Sequence, residues 1–182
     1  MKKLFTFPLF VSLFSISGVA AQASSPGRVE ISFAYQRQSG FSSNQFAVWV
    51  EDAQGVLVKT LYATRFTATG GFRRRPESIP QWVRQAGLAS QSAAGLDAFT
   101  GATPRSGQQN FVWDGTGKDG ATLPLGSYYV YVEATLRGEN RALYRTRIEL
   151  GGGPVELQAE VQYFGSGTRE RNMVGPVTVR VR

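Results

Sequence analysis

The sequence predicts an all-β protein, an Ig-like β-sandwich with one short helix and a long small-residue loop. Two observations predict it. Apolar and polar residues alternate over several short runs, and turn-forming, Gly-rich stretches separate about seven of them.

Residues 1–23, MKKLFTFPLFVSLFSISGVAAQA, open on Lys2 and Lys3, continue as an apolar run and end on Ala21-Gln22-Ala23. That is the pattern of a secretory signal peptide, with Ala21 as an alternative cleavage point. Residues 24–182 are then expected to form a single β-sandwich domain. The apolar run is too short for a permanent membrane helix and no later segment qualifies, so no transmembrane segment is expected in the mature form.

Val29, Ile31, Phe33 and Tyr35 alternate with Glu30, Ser32 and Ala34, which is a half-buried strand. QFAVWVED (45–52) and VLVKTLYATRF (56–66) follow as two more, turned at Ala53-Gln54-Gly55. ESIPQWVRQAG (77–87) breaks the alternation. Ser78 is placed to cap, Pro80 sits in the first turn, Trp82 and Val83 are apolar and Gly87 stops the chain, so a short helix is predicted. Residues 86–110 are rich in Ala, Gly, Ser and Gln and show neither period, and a loop that long within a domain is usually functional or disordered. Further strands are predicted at Tyr128–Leu136, Ala142–Leu150, Val155–Phe164 and Val177–Val181.

Composition narrows the chemistry. The chain has neither cysteine nor histidine. Disulfides, Ser-His-Asp and Cys-His catalysis, His-based metal sites and covalent or His-ligated haem are all excluded, and no metal and no haem are expected. DGTGKDG (114–120) has a superficial likeness to a calcium loop, but its spacing suits turns at Asp114-Gly115 and Asp119-Gly120. Glu51 and Asp52 are strand neighbours facing opposite ways, so they do not form an acid-base pair.

Loss of Lys2 and Lys3 with the leader lowers the formal net charge from +7 to +5, and sixteen of the twenty basic residues are arginine. Arginine suits phosphate and other anions. In an exported, periplasmic chain, anionic envelope components or a flavin phosphate fit that preference, and no nucleic acid is expected.

WDGTGKDGATLPLGSYYVYVE (113–133) resembles the hairpin of the Ig-like module of the flagellar hook-capping protein, with Trp113 as a core plug and Gly126 and Tyr128 opening the next strand. FAYQRQSGFSSNQFAVWVED, LVKTLYATRFTATGGFRRRPESIPQWV, DAFTGATPRSG and EATLRGENRALYR run from about Ile31 to Arg147. Together they resemble the uncharacterised family of predicted periplasmic proteins catalogued as domain of unknown function 2271. The resemblance implies a periplasmic location and carries no activity. Where that family has a longer segment after Leu136-Arg137, this chain has Gly138-Glu139-Asn140, and beyond Gly151 the match is loose.

Within DAFTGATPRSG, the pattern Asp97-x-x-Thr100-Gly101-Ala102-Thr103 resembles the acceptor motif of flavinylated extracytoplasmic proteins. By position it implies covalent FMN on Thr103, placed there from FAD by a magnesium-dependent FMN transferase, with membrane redox proteins as electron partners. The residue types suit that chemistry. A hydroxyl is all the acceptor must supply, Gly101 and Ala102 keep the chain slim enough for another enzyme's cleft, and Pro104 restricts the backbone beyond the acceptor.

GGFRRRPES places Arg73, Arg74 and Arg75 in a Gly-flanked turn, a possible anion site for a phosphate, a reduced flavin or an acidic partner, and equally a solvated turn. Tyr62, Phe72, Trp82, Phe99 and Phe111 are aromatic residues that either stack on a flavin ring or fill the core. The chain therefore reads as an electron carrier rather than a self-sufficient enzyme. The alternative is a non-redox Ig-like binding or accessory module recognising an anionic envelope partner.

Overall fold

Ten strands divide between two sheets among residues 27–39, 43–89, 99–166 and 171–182, which are those described by the computed structural model. The expected leader, residues 1–23, and Asp97 lie outside the described residues. The smaller sheet has the order β5 (Gly107–Trp113), β1 (Val29–Tyr35), β10 (Thr178–Val181), β8 (Val155–Gln158). The larger has the order β4 (Thr100–Gly101), β3 (Leu57–Thr64), β2 (Gln45–Asp52), β6 (Gly126–Arg137), β7 (Asn140–Leu150), β9 (Glu160–Phe164). The expected all-β sandwich is the architecture these residues form.

Side-chain alternation builds the main core. Val29, Ile31, Phe33 and Tyr35 of β1 face Phe46, Val48 and Val50 of β2 and Val130, Val132 and Ala134 of β6, with Trp113 fully buried among them. The other face of the large sheet is also covered. Ala47, Trp49, Tyr131 and Leu143 pack under a small helical layer that contributes Ile79 and Trp82. Trp49, Trp82 and Trp113 have no exposed surface, and each stabilises the fold by at least roughly 2 kcal/mol of apolar burial.

The helical layer differs from expectation in two ways. The third strand stops at Thr64, and α1 (Arg65–Ala68) and a 3-10 turn (Gly71–Arg73) come after it. The expected helix is α2 (Pro80–Gln85), but Ser78 does not cap it. The Ser78 hydroxyl is buried 3.4 Å from that of Ser43, and the first helical amides of Gln81 and Trp82 donate instead to the Glu133 carboxylate at 3.2 and 2.8 Å. Ile79 is left in the left-handed region with φ 42°, and its amide donates to Thr135 Oγ1 at 2.7 Å. The cap comes from β6, more than fifty residues away, where no local pattern announces it.

Three further differences concern strands. Residues 107–113, of which 107–110 belong to the predicted loop, form β5 and pair with β1 along its whole length, Val29 opposite Trp113 and Tyr35 opposite Gly107. The predicted strand 155–164 is two strands that leave one sheet for the other at Ala159, whose amide donates to Val177 O at 2.9 Å. The strands flanking 114–125 lie in different sheets, so that segment is a crossover with a small ladder at Thr116–Thr122 rather than the turn of one hairpin. Gly138, with φ 52°, and Glu139 make the tight turn from β6 into β7.

Candidate functional site

The third strand carries the framework of the loop that holds Thr103. At its end, Ala63 and Thr64 pair in parallel with Thr100 and Gly101, and the Ala63 amide donates to Phe99 O at 3.0 Å. A two-residue edge strand exposes little ladder to other chains, so the motif ends the sheet without extending it.

Two aromatic contacts fix the ladder from opposite faces. Phe99 meets Trp82 edge-on at 6.3 Å in the outer core. On the other face, Tyr62 stacks on Phe46 at 4.8 Å and leans on Phe111 at 5.4 Å. Gly101 lies against the Tyr62 ring so closely that a Cβ there would stand 2.6 Å from Tyr62 Cε2, so glycine is required by space. The Tyr62 hydroxyl donates to Ala102 O at 2.8 Å, and burial pushes its pKa up to about 12, so it remains a donor throughout the neutral range.

Beyond Ala102 the chain leaves the sheet. It is fastened again where the Arg37 amide donates to Ser106 Oγ at 2.9 Å, and β5 begins at Gly107 with φ 143°. Residues 102–106 are thus a short loop held at both ends. The two motif threonines differ in setting. Thr100 Oγ1 is buried without a hydrogen-bond partner, as is Thr64 Oγ1 beside it on the ladder, whereas Thr103 lies in the loop with part of its surface exposed. Solvent reaches part of Thr103 and does not reach the Thr100 oxygen.

The other candidates occupy varied settings. Arg73 lies over the Phe72 ring at 5.0 Å, and Arg74 and Arg75 lie over Phe66 at 5.6 and 5.1 Å. All three are exposed. Trp82 is fully buried, with Nε1 donating to Thr60 Oγ1, and is core. Tyr62, Phe72, Phe99 and Phe111 are partly buried and pack against the two cores.

The buried acids stand elsewhere. Glu133 accepts from Gln81, Trp82 and Arg141, the last at 2.9 Å, and burial pushes its pKa up against those bonds. Glu51 accepts from Trp49 Nε1 at 2.7 Å, and burial raises its pKa too. In the β2–β6 register Glu133 pairs with Ala47 and Glu51 with Tyr129. The two acids are therefore roughly 13 Å apart along the strands, too far to share a proton relay. Asp52 turns outward and accepts from the amides of Gln54 and Val56, as the alternation requires. Asp114 and Asp119 likewise accept from Thr116 and Ala121, so the stretch 114–120 is turn chemistry, and the Thr116 bonds hold the Asp114 carboxyl below its usual range. Among the described residues no helix is long and apolar enough to cross a membrane.

Sequence reasoning on the motif missed Tyr62 as the residue that shapes the loop, because the bond joins positions forty residues apart. No curated protein and no solved structure matches the chain. One family model does, over residues 27–166, which takes in β1 to β9 and the Thr103 loop. The family's description, predicted periplasmic protein, gives the location that the leader implies, and the chain belongs to this family, DUF2271.

Proposed function

We propose that this periplasmic protein carries FMN covalently on Thr103 and passes electrons between membrane redox proteins outside the cytoplasm. The observation that supports it best is the contrast between the two motif threonines. Thr103 is reachable in a loop anchored at both ends, and the Thr100 hydroxyl is sealed in the sheet edge.

The residues present fit the group. In the attachment step Thr103 Oγ1 bonds to the flavin-side phosphorus of FAD, the phosphoanhydride bond to the adenylate breaks, AMP leaves, and the hydroxyl proton passes to the transferase. The transferase supplies the Mg²⁺ that stabilises the phosphoryl charge, so the acceptor needs no acid, base or metal of its own. Gly101 keeps the approach narrow, and Tyr62 and Ser106 hold the loop ends so that a flexible segment is not ordered anew at each encounter. Bound flavin supplies one- and two-electron transfer.

The rival reading, a binding module for an anionic envelope partner, draws on the exposed Arg73–Arg75 turn. One experiment separates the two: intact mass and in-gel fluorescence of the protein exported together with a periplasmic FMN transferase, beside Thr103→Ala. A gain of one FMN less water that vanishes in the variant supports the carrier. An unmodified chain, with a known acceptor labelled in the same cells, leaves the binding module.

A further inference from the structure

Most of the described arginines fall into two groups. Arg28, Arg141, Arg147, Arg180 and Arg182 each pair with a glutamate. Arg73, Arg74, Arg75, Arg145 and Arg171 each lie over an aromatic ring. Among the described side chains, four arginines have neither kind of partner, and three of the four, Arg37, Arg65 and Arg105, stand on the Thr103 loop or next to the residues that bound it.

The loop anchors determine where they stand. Arg105 is two residues beyond Thr103. Arg37 stands at the far end of the loop, where its amide meets Ser106. Arg65 comes directly after Thr64, the residue paired with Gly101, and opens α1, which packs on β4. All three are exposed. Three like charges around one loop repel one another, so the arrangement has a physical rationale when an anion lies between them.

We propose that Arg37, Arg65 and Arg105 form an anion seat for the phosphate ester of a flavin at Thr103. This rests on the reading of Thr103 as the acceptor and names the residues that receive the group. A guanidinium offers paired N–H donors to phosphate oxygens, which a lysine cannot match in geometry. The same three charges favour the anionic reduced form of a flavin held there over its neutral form.

The test uses the unmodified full chain and free ligands, so it does not depend on attachment. Backbone amide signals are followed by NMR while the protein is titrated with FMN and, separately, with riboflavin, which lacks the phosphate. The expected result is movement of the Arg37, Arg105, Ser106 and Gly107 amides with FMN and not with riboflavin. Binding should weaken with added salt and fall about tenfold or more in the triple variant R37A/R65A/R105A. The triple R73A/R74A/R75A is expected to bind as the wild type does. Equal responses to FMN and riboflavin, loss of binding in the R73A/R74A/R75A variant alone, or binding of polyglutamate without binding of FMN would each overturn the seat, the last in favour of an acidic protein partner. Attachment at Thr103 without an FMN response keeps the carrier and removes the seat. An FMN response without attachment keeps the seat and removes the carrier.

Discussion

The Tyr62 hydroxyl donates to the carbonyl of Ala102 at 2.8 Å, and through it the third strand sets where the loop bearing Thr103 leaves the sheet. Tyr62→Phe keeps the ring stacked on Phe46 and removes only that bond. A loss of about 1 kcal/mol in urea unfolding is expected. Attachment of FMN is expected to slow while its position stays unchanged, because the loop retains its second anchor at Ser106.

Gly101 has no room for a side chain. Its added Cβ would meet Tyr62 Cε2 at 2.6 Å, and that ring cannot swing away while it is packed between Phe46 and Phe111. Gly101→Ala is expected to cost about 1–3 kcal/mol. Combining it with Tyr62→Leu should recover part of the loss, and a double-mutant cycle by chemical denaturation measures the coupling. Additive losses would show that the two residues are not in contact.

Glu133 joins α2 to the sheet. Glu133→Ala leaves the Gln81 and Trp82 amides and the Arg141 guanidinium without their acceptor, and a loss of about 3–5 kcal/mol is expected. Glu133→Gln keeps one acceptor oxygen and should lose less. Denaturation midpoints of the two variants check the order. Equal losses would mean that the charge, rather than the hydrogen bonds, holds the helix.

The fold should weaken in alkali. Burial pushes both Tyr35 and Tyr62 up to about 12, above the value of about 10 expected for the unfolded chain. Between those values the folded protein keeps protons that the unfolded chain releases, so stability is intact below pH about 10 and falls as the pH rises towards about 12. Tyrosinate absorbance and circular dichroism should therefore change together in that range. Ionisation of all tyrosines near pH 10 with the fold intact would contradict the burial of these two.

The fold was legible in the sequence wherever one face of a strand meets the core. Val29 to Tyr35 alternates in sequence and in burial, and the second half of β7 does the same, whereas β6 is buried on both faces from Val130 to Leu136. The fifth strand was not legible, because it is an edge whose Gln108 and Asn110 are exposed, so its polar start reads as loop. The α2 cap failed for a different reason. Glu133 lies on a distant strand, and a local cap pattern at Ser78 carries no information about it.

The Thr103 loop divides the same way. Thr103 and Arg105 stand in one short stretch, and of the two only Thr103 carries a motif signal. Arg37, Arg65 and Tyr62 reach the loop only through sheet pairing and hydrogen bonds, which spacing along the chain does not encode. Thr100 and Thr103 look alike in sequence. Only the ladder to β3 makes one of them a sealed hydroxyl.

That difference gives the most direct test. Trypsin is expected to release residues 85–105 as one peptide holding both threonines, and fragment-ion mass spectrometry of it, after export with an FMN transferase, places the modification. FMN on Thr103 is the predicted result. FMN on Thr100, or none on either while a known acceptor is labelled in the same cells, would contradict the assignment of this loop as the flavin site.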